Sequence, residues 1–218
     1  MILCDIGNTT YHFMIKKQSV VVPVNKSLKA LPSYKEDIYF ISVNNKATQK
    51  FLKKYPDAIN IENIINFETS YKGMGIDRQV VCKYIKDGII VDFGSAITVD
   101  IMQKEKHKGG FILPGIEAFK TIYPNISQKL SFDFEKNTNL DKIPLTTNDA
   151  INYAILNAIT LPILKEYEKY KTKIYFTGGD KSLLKKHFKN ISTKYMKNMM
   201  FKSMKKIIQE ANKKKKGK

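Results

Sequence analysis

Four short stretches of the chain hold residue types that together could move a phosphoryl group. Asp5-Ile6-Gly7-Asn8-Thr9-Thr10 sets a carboxylate ahead of a glycine turn and a run of amide and hydroxyl donors. Glycine lets the backbone approach a bulky anion, and exposed N–H groups with Asn8, Thr9 and Thr10 can hold phosphate oxygens. A carboxylate beside phosphates repels them unless a cation intervenes. Asp5, and Asp92 in Asp92-Phe93-Gly94-Ser95-Ala96, are therefore sensible positions for groups facing Mg²⁺ or another hard cation. The plainer alternative is that each Asp hydrogen-bonds its own turn. Thr177-Gly178-Gly179-Asp180 follows an apolar run and opens a helical one, a place where small residues and a helix N-terminus favour an anion. Gly73-Met74-Gly75-Ile76-Asp77-Arg78 places the only Arg of the chain next to an Asp at a helix start. Arg offers a planar fork for a carboxylate, and Asp can accept a hydroxyl proton during phosphoryl transfer. The bland reading of the same residues is a capping Asp beside a surface Arg, with Tyr71 in the same pocket or in the core.

Other chemistries fare worse. No Gly-Lys-Ser/Thr follows a glycine loop, and Gly-x-Gly-x-x-Gly is absent, so neither a P-loop nor a dinucleotide fingerprint is present. His12, His107 and His187 are scattered, with no zinc spacing. Ser95 follows Asp-Phe-Gly and not the Gly-x-Ser-x-Gly of a hydrolase nucleophile.

The elements that must position these residues are strands first, then helices. Strands are expected at Ile2–Gly7, Tyr11–Lys16, Ser19–Val24, Asp37–Val43 and Ala58–Glu62, with helices at Asn44–Tyr55 and Asp77–Lys86. The pattern restarts with strands at Gly88–Phe93, Ile97–Gln103 and His107–Leu113, then a helix at Ile116–Tyr123. Residues 127–145 read as an irregular loop at the edge of the site. Thr147 is expected to cap a long helix reaching about Tyr170, kinked at Pro162. A strand at Lys173–Phe176, a helix at Lys181–Phe188 and a closing helix at Asn198–Ala211 complete the chain. Asp5 and Asp92 close the first strand of each series, 87 residues apart, as apolar-apolar-Asp-x-Gly-polar-small. The expectation is an internally duplicated α/β protein, halves 1–87 and 88–218, with a cleft between them.

With 218 residues, 43% of them hydrophobic, the chain can bury a real core and is not disordered. No apolar run reaches the roughly 20 residues of a membrane-spanning helix, nothing at Met1 reads as a signal, and Cys4 and Cys82 are too few for a disulfide framework. These features point to a cytoplasmic protein with no membrane partner. Of the net charge of +18, the segment from Lys181 supplies +13, with fourteen Lys against Glu210. Such a patch can attract polyanions. A solvated helix face and a frayed tail are the simpler account, and a single Arg argues against nucleic acid as a partner.

Together these segments resemble type III pantothenate kinase, a branch of the acetate and sugar kinase/Hsp70/actin superfamily. The resemblance runs over about residues 1–190 and rests on five motifs in order. Asp5-Ile6-Gly7-Asn8-Thr9 is similar to the first phosphate motif and Gly75-Ile76-Asp77-Arg78 to the Gly-x-Asp-Arg motif. Asp92-Phe93-Gly94-Ser95-Ala96-Ile97-Thr98 resembles the second phosphate motif. Gly109-Gly110-x-Ile112-x-Pro114-Gly115 and Thr147-x-x-Ala150 complete the set. The resemblance implies a duplicated ribonuclease H-like (actin-like ATPase) α/β fold, two mixed sheets flanked by helices. It implies ATP-dependent phosphorylation of pantothenate at its 4′-hydroxyl, the first step of coenzyme A biosynthesis. By the same carry-over Asp77 is the general base, and Tyr71, Gly75, Ile76, Asp77, Arg78 and Thr147 contact pantothenate. Asp5, Ile6, Gly7, Asn8, Thr9, Thr10, Tyr11, His12 and Ser95 lie along ATP. Asp5 faces the Mg²⁺ that ATP brings, Asp92 holds a monovalent cation, K⁺ or NH₄⁺, and the enzyme is a homodimer with its substrate pocket at the subunit interface. Ser95 stands where the family has Thr, and Ala154 where it often has Gly. A related small-molecule kinase, and a noncatalytic nucleic-acid-binding regulator of the same fold, are the alternatives left open.

Overall fold

The computed structural model of the protein describes residues 1–179 and 185–216. Its chain divides into two compact units, one made of residues 1–84 with the chain from Asn198 onward, the other of Ile85–Lys197.

In the first unit β1 (Ile2–Ile6), β2 (Thr10–Ile15), β3 (Gln18–Pro23), β4 (Ile38–Ser42) and β5 (Ile59–Asn60) form one sheet in the order β3-β2-β1-β4-β5. β1 runs antiparallel to β2 and parallel to β4. Strand alternation sends Ile2, Cys4 and Ile6 to one face, where they pack with Phe13 and Phe40 against Ala47 and Phe51 of α1 (Asn45–Lys54) and Tyr55 at its C-terminal end. Burying a side chain such as Phe51 is worth about 1.5–3 kcal/mol. Leu3 and Met14 go to the other face, where α2 (Ile76–Cys82) contributes Ile76 and Val80. Burial, and then the neighbouring Asp5 carboxylate, push the Cys4 thiol well above its ordinary range, so it packs as an apolar group.

The second unit repeats the design. β6 (Gly88–Phe93), β7 (Ala96–Gln103), β8 (Lys106–Pro114), β9 (Ile174–Gly178) and β10 (Thr193–Tyr195) lie in the order β8-β7-β6-β9-β10. β6 is antiparallel to β7 and parallel to β9. Each strand therefore has a counterpart in the first sheet with the same neighbours and direction, which is the duplicated ribonuclease H-like arrangement. Ile89, Val91 and Phe93 face α3 (Ile116–Ile126) and α4 (Thr147–Tyr170), meeting Ile116, Ile155, Ile159 and Ile163.

Several boundaries differ from the sequence expectation for visible reasons. α2 stops at Cys82 and does not reach Lys86, because Lys86 O and Asp87 Oδ1 accept from Glu105 and Lys104 N–H, each at 2.8 Å, in the β7–β8 turn. β5 is cut to two residues, since the Asn60 side chain accepts from Glu62 N–H at 3.0 Å and starts a 3-10 turn over Ile61–Asn63. β10 carries no periodic signal in three residues. Of the expected helix at Lys181–Phe188, a 3-10 turn covers Lys185–Phe188, and residues 180–184 lie outside the described residues. The closing helix α5 (Met199–Lys216) is longer than expected and belongs to the first unit. Its Phe201, Met204, Ile207 and Ile208 join Leu3, Ile41, Ile76 and Val80 in one core cluster. No described helix is long and apolar enough to cross a membrane.

Candidate active site

In the first unit Asp5 stands near the C-terminal end of β1, opposite His12 and beside Ile41, and is half-buried. The turn after it is closed by Gly7 N–H donating to Thr10 O at 3.0 Å, which leaves Asn8 and Thr9 exposed at its tip. Val24 N–H donates to Thr9 O at 2.9 Å, and the Asn44 amide donates to Asn8 O at 3.4 Å. Asn44 also caps α1, accepting from Ala47 N–H at 3.0 Å. Its place in this loop cluster was not read from the sequence. The available signal is the duplication, since Ser42-Val43-Asn44 follows β4 as Gly178-Gly179 follows from β9.

The stretch from Asp5 to His12 splits by side chain. Ile6 and Tyr11 are core, with the Tyr11 hydroxyl donating to Ala47 O at 3.0 Å and its ring stacked on Phe51. The His12 ring lies 2.6 Å from Ser19 Oγ and edge-on to Phe201, and burial lowers its pKa. Gly7 to Thr10 are the part of the stretch whose turn faces outward.

Asp77 and Arg78 sit in the first turn of α2. Arg78 N–H donates to Asp77 Oδ1 at 2.8 Å. A Cβ on Gly75 would stand 2.5 Å from that same oxygen, so glycine is what allows the carboxylate to fold back over the helix start. Arg78 is not a surface residue. It is 4% exposed, with its guanidinium carbon 4.5 Å from the centroid of the half-buried Tyr71 ring. A cation on an aromatic face gains about 0.5–2 kcal/mol and is held in a fixed orientation.

In the second unit Asp92 lies near the end of β6, paired with Thr98 on one side and Thr177 on the other, the counterpart of Asp5. Gly94 N–H donates to Ala96 O at 3.0 Å, and Gly115 N–H to Ser95 O at 3.1 Å, so Ser95 is presented at an exposed tight turn. Gly178, at φ +87°, comes so close that a Cβ there would stand 2.2 Å from Phe93 O and 2.5 Å from Asp92 Oδ1. Gly179 N–H donates to Phe93 O at 2.9 Å. A carboxylate and a backbone carbonyl thus lie beside one small-residue turn, two oxygens of the type a hard cation takes. Asp180 lies outside the described residues.

Thr147 is the first residue of α4 and is exposed, but it is not the cap. Thr146 takes that role, accepting from Asp149 N–H at 3.2 Å and donating to Asp149 Oδ2 at 2.7 Å, which leaves the Thr147 side chain available. The fully buried Asn152 accepts from Glu135 N–H at 2.7 Å and donates to Asp133 O at 2.8 Å and Asn148 O at 2.9 Å. The loop expected to be irregular is thereby fastened to the first turns of α4. A second missed feature is the buried pair His107 and Asp100, 2.9 Å apart beside a bulge in the β7–β8 ladder. It lies within the ladder, away from the turns described above.

Comparison with known proteins gives consistent matches. The family model for type III pantothenate kinase matches residues 41–167. A type III pantothenate kinase of Wolinella succinogenes is 40% identical over 190 residues, covering 87% of this chain and 89% of the relative. That of Campylobacter hominis is 43% identical over 193 residues, covering 87% and 90%. A Campylobacter jejuni protein, its crystal structure described as that of a Baf family transcriptional activator, superposes with a TM-score of 0.84 at 39% identity, covering 98% of this chain and all of that one. A 2-dehydro-3-deoxygalactonokinase of Sinorhizobium meliloti, with a TM-score of 0.61 at 9% identity, shares the fold, covering 97% of this chain and 95% of that one.

Proposed function

The chain belongs to the type III pantothenate kinase family, and from that premise we propose that it transfers a phosphoryl group from ATP to the 4′-hydroxyl of pantothenate. The product, 4′-phosphopantothenate, opens coenzyme A biosynthesis. The observation that carries this reading is the start of α2. There a carboxylate oriented by a backbone N–H stands next to an Arg buried under Tyr71. Phosphoryl transfer requires alignment and charge neutralisation more than covalent chemistry. Asp77 accepts the proton of the attacking hydroxyl, and Arg78 and Tyr71 hold the pantothenate carboxylate end. The exposed turns Gly7–Thr10 and Gly94–Ala96 take the phosphates through backbone N–H groups and hydroxyls. Ile6 and Tyr11, being core, serve the nucleotide only by fixing the backbone. Asp92 with Phe93 O offers the oxygen set for K⁺ or NH₄⁺, and Asp5 faces Mg²⁺ carried by ATP. When bound, these cations neutralise charge that develops on the transferring group. The buried thiols Cys4 and Cys82 suit a cytoplasmic setting.

The test is ADP release from MgATP with and without pantothenate and with and without K⁺. Pantothenate-dependent turnover that requires K⁺ is expected. Turnover with another small alcohol in place of pantothenate would move the chain to the related-kinase alternative.

The dimer of this reading is supported by one face of α4. Ala150, Ala154, Ala158 and Leu161, spaced by four and three residues, are all exposed, and no charge interrupts them before Lys165. A helix face without charge is normally covered. Exposed Ile122, Ile126, Ile143 and Leu145 lie in the same unit, and Thr147 begins the same face. Ala158→Glu, about 16 Å along the helix from Thr147, is expected to convert a sedimenting dimer to monomer. It is also expected to raise the KM for pantothenate at least tenfold. A fully active wild-type monomer would remove the interface pocket from this account.

A further inference from the structure

The face of α5 opposite its buried one carries a run of lysines, most of them outside any ion pair among the described residues. Phe201, Met204, Ile207 and Ile208 anchor one side of the helix in the core of the first unit. At 100° per residue, Lys202, Lys206 and Lys213 fall together on the opposite side, with Lys205 and Lys214 at its two borders, and all five are exposed. The stripe from Lys202 to Lys214 is about 18 Å long. Its one acid is Glu210, and burial, then that carboxylate, raise the Tyr84 phenol above its ordinary pKa. Lys206 sits over the Tyr84 ring at 4.0 Å. No carboxylate among the described residues pairs with Lys202, Lys205, Lys213 or Lys214.

We infer that this stripe is a docking rail for the phosphate backbone of duplex DNA, bound without regard to sequence. Three features select that partner. The charges form a line along a rigid helix, matching a linear polyanion with one phosphate every 3.4 Å or so per strand. All are Lys, which meets phosphate as a point charge and lacks the bidentate fork that reads bases, so the scarcity of Arg that argues against base reading leaves sequence-independent phosphate contact open. The apolar side of α5 is already committed to the protein core, so the helix has no free face to insert into a lipid headgroup layer, as surface-binding amphipathic helices do. This adds an interaction to the kinase and takes no residue from the site described above.

The test is fluorescence anisotropy of a labelled random-sequence duplex titrated with the full-length protein between about 50 and about 200 mM salt. Binding is expected, with log K falling against log salt at a slope of about 3–4 for four phosphate contacts, a loss of roughly 100-fold across that range. The variant Lys202→Gln/Lys205→Gln/Lys213→Gln/Lys214→Gln should bind at least about tenfold more weakly at the low-salt end. Its kinase turnover and thermal stability should match the wild type, because none of the four touches the core or the site. Absence of binding at low salt overturns the inference. So does equal binding by wild type and variant. Retention by phosphatidylglycerol vesicles that is lost in the variant, with no difference on DNA, assigns the rail to a membrane surface and also overturns it.

Discussion

Asp77→Asn is expected to lower pantothenate-dependent ADP release by about 10²–10⁴-fold, the range a positioned general base contributes, with the fold intact. The local geometry makes this substitution unusually clean. Asp77 Oδ1 accepts from Arg78 N–H at 2.8 Å, and the Asn side-chain oxygen can accept the same bond in the same place. What disappears is the capacity to take a proton and the negative charge near the start of α2. Loss of that charge costs about 1 kcal/mol or less in helix stability. Asp77→Ala is a poorer probe, because it removes the hydrogen bond as well and would mix stability with chemistry. The Arg78–Tyr71 stack is on the other side of the assignment: Arg78→Lys keeps a positive charge but loses the planar fork, so its effect should fall on the KM for pantothenate more than on kcat. Near-normal turnover by Asp77→Asn, with the protein folded, takes Asp77 out of the proton-accepting role.

Much of this arrangement was legible because the duplication is written in residue types. Asp5 and Asp92 each follow a continuous apolar strand run, each ahead of a glycine turn, and the two sheets have the same order and directions. Local pattern sufficed there. It failed where the determining contact is distant in sequence. The apolar residues of α5 announce a buried face, but nothing in residues 198–216 says that the face belongs on Leu3, Ile41 and Val80, so chain order alone puts the closing helix in the second half, whereas it packs in the first unit. His107 and Asp100 are seven residues apart across a hairpin, and only the ladder register with its bulge brings them to 2.9 Å. Two adjacent threonines stand at the start of α4, and choosing Thr146 over Thr147 as the cap requires knowing that Thr146 reaches Asp149 N–H. The site motifs were readable as types and spacing, whereas burial of Arg78 under Tyr71 and the commitment of Tyr11 to the core are facts of packing.

The close approach at the end of β9 leads to the second large effect. Gly178→Ala combines two penalties at one atom. The residue sits at φ +87°, and its new Cβ would lie 2.2 Å from Phe93 O and 2.5 Å from Asp92 Oδ1. Left-handed backbone for a residue other than glycine costs about 1–3 kcal/mol, and overpacking against backbone about as much again. The atoms that must move are those proposed to hold the monovalent cation, and a shift on the order of 1 Å in a catalytic group can cost about 100-fold in rate. The expected outcome is therefore a drop in melting temperature, a roughly 100-fold loss of kcat/KM, and a rise in the K⁺ concentration needed for half-maximal activity. Gly73→Ala separates the two penalties, since Gly73 has φ +72° but no atom within 4 Å of its added Cβ. It should lose about 1 kcal/mol of stability and keep its K⁺ requirement. Asp92→Asn covers the case in which Gly178→Ala does not fold, because it preserves the side-chain shape while removing the charge. A folded Asp92→Asn with unaltered activity and K⁺ dependence would place the cation elsewhere. The tight Gly178 turn would then be a device for joining β9 to β6 only.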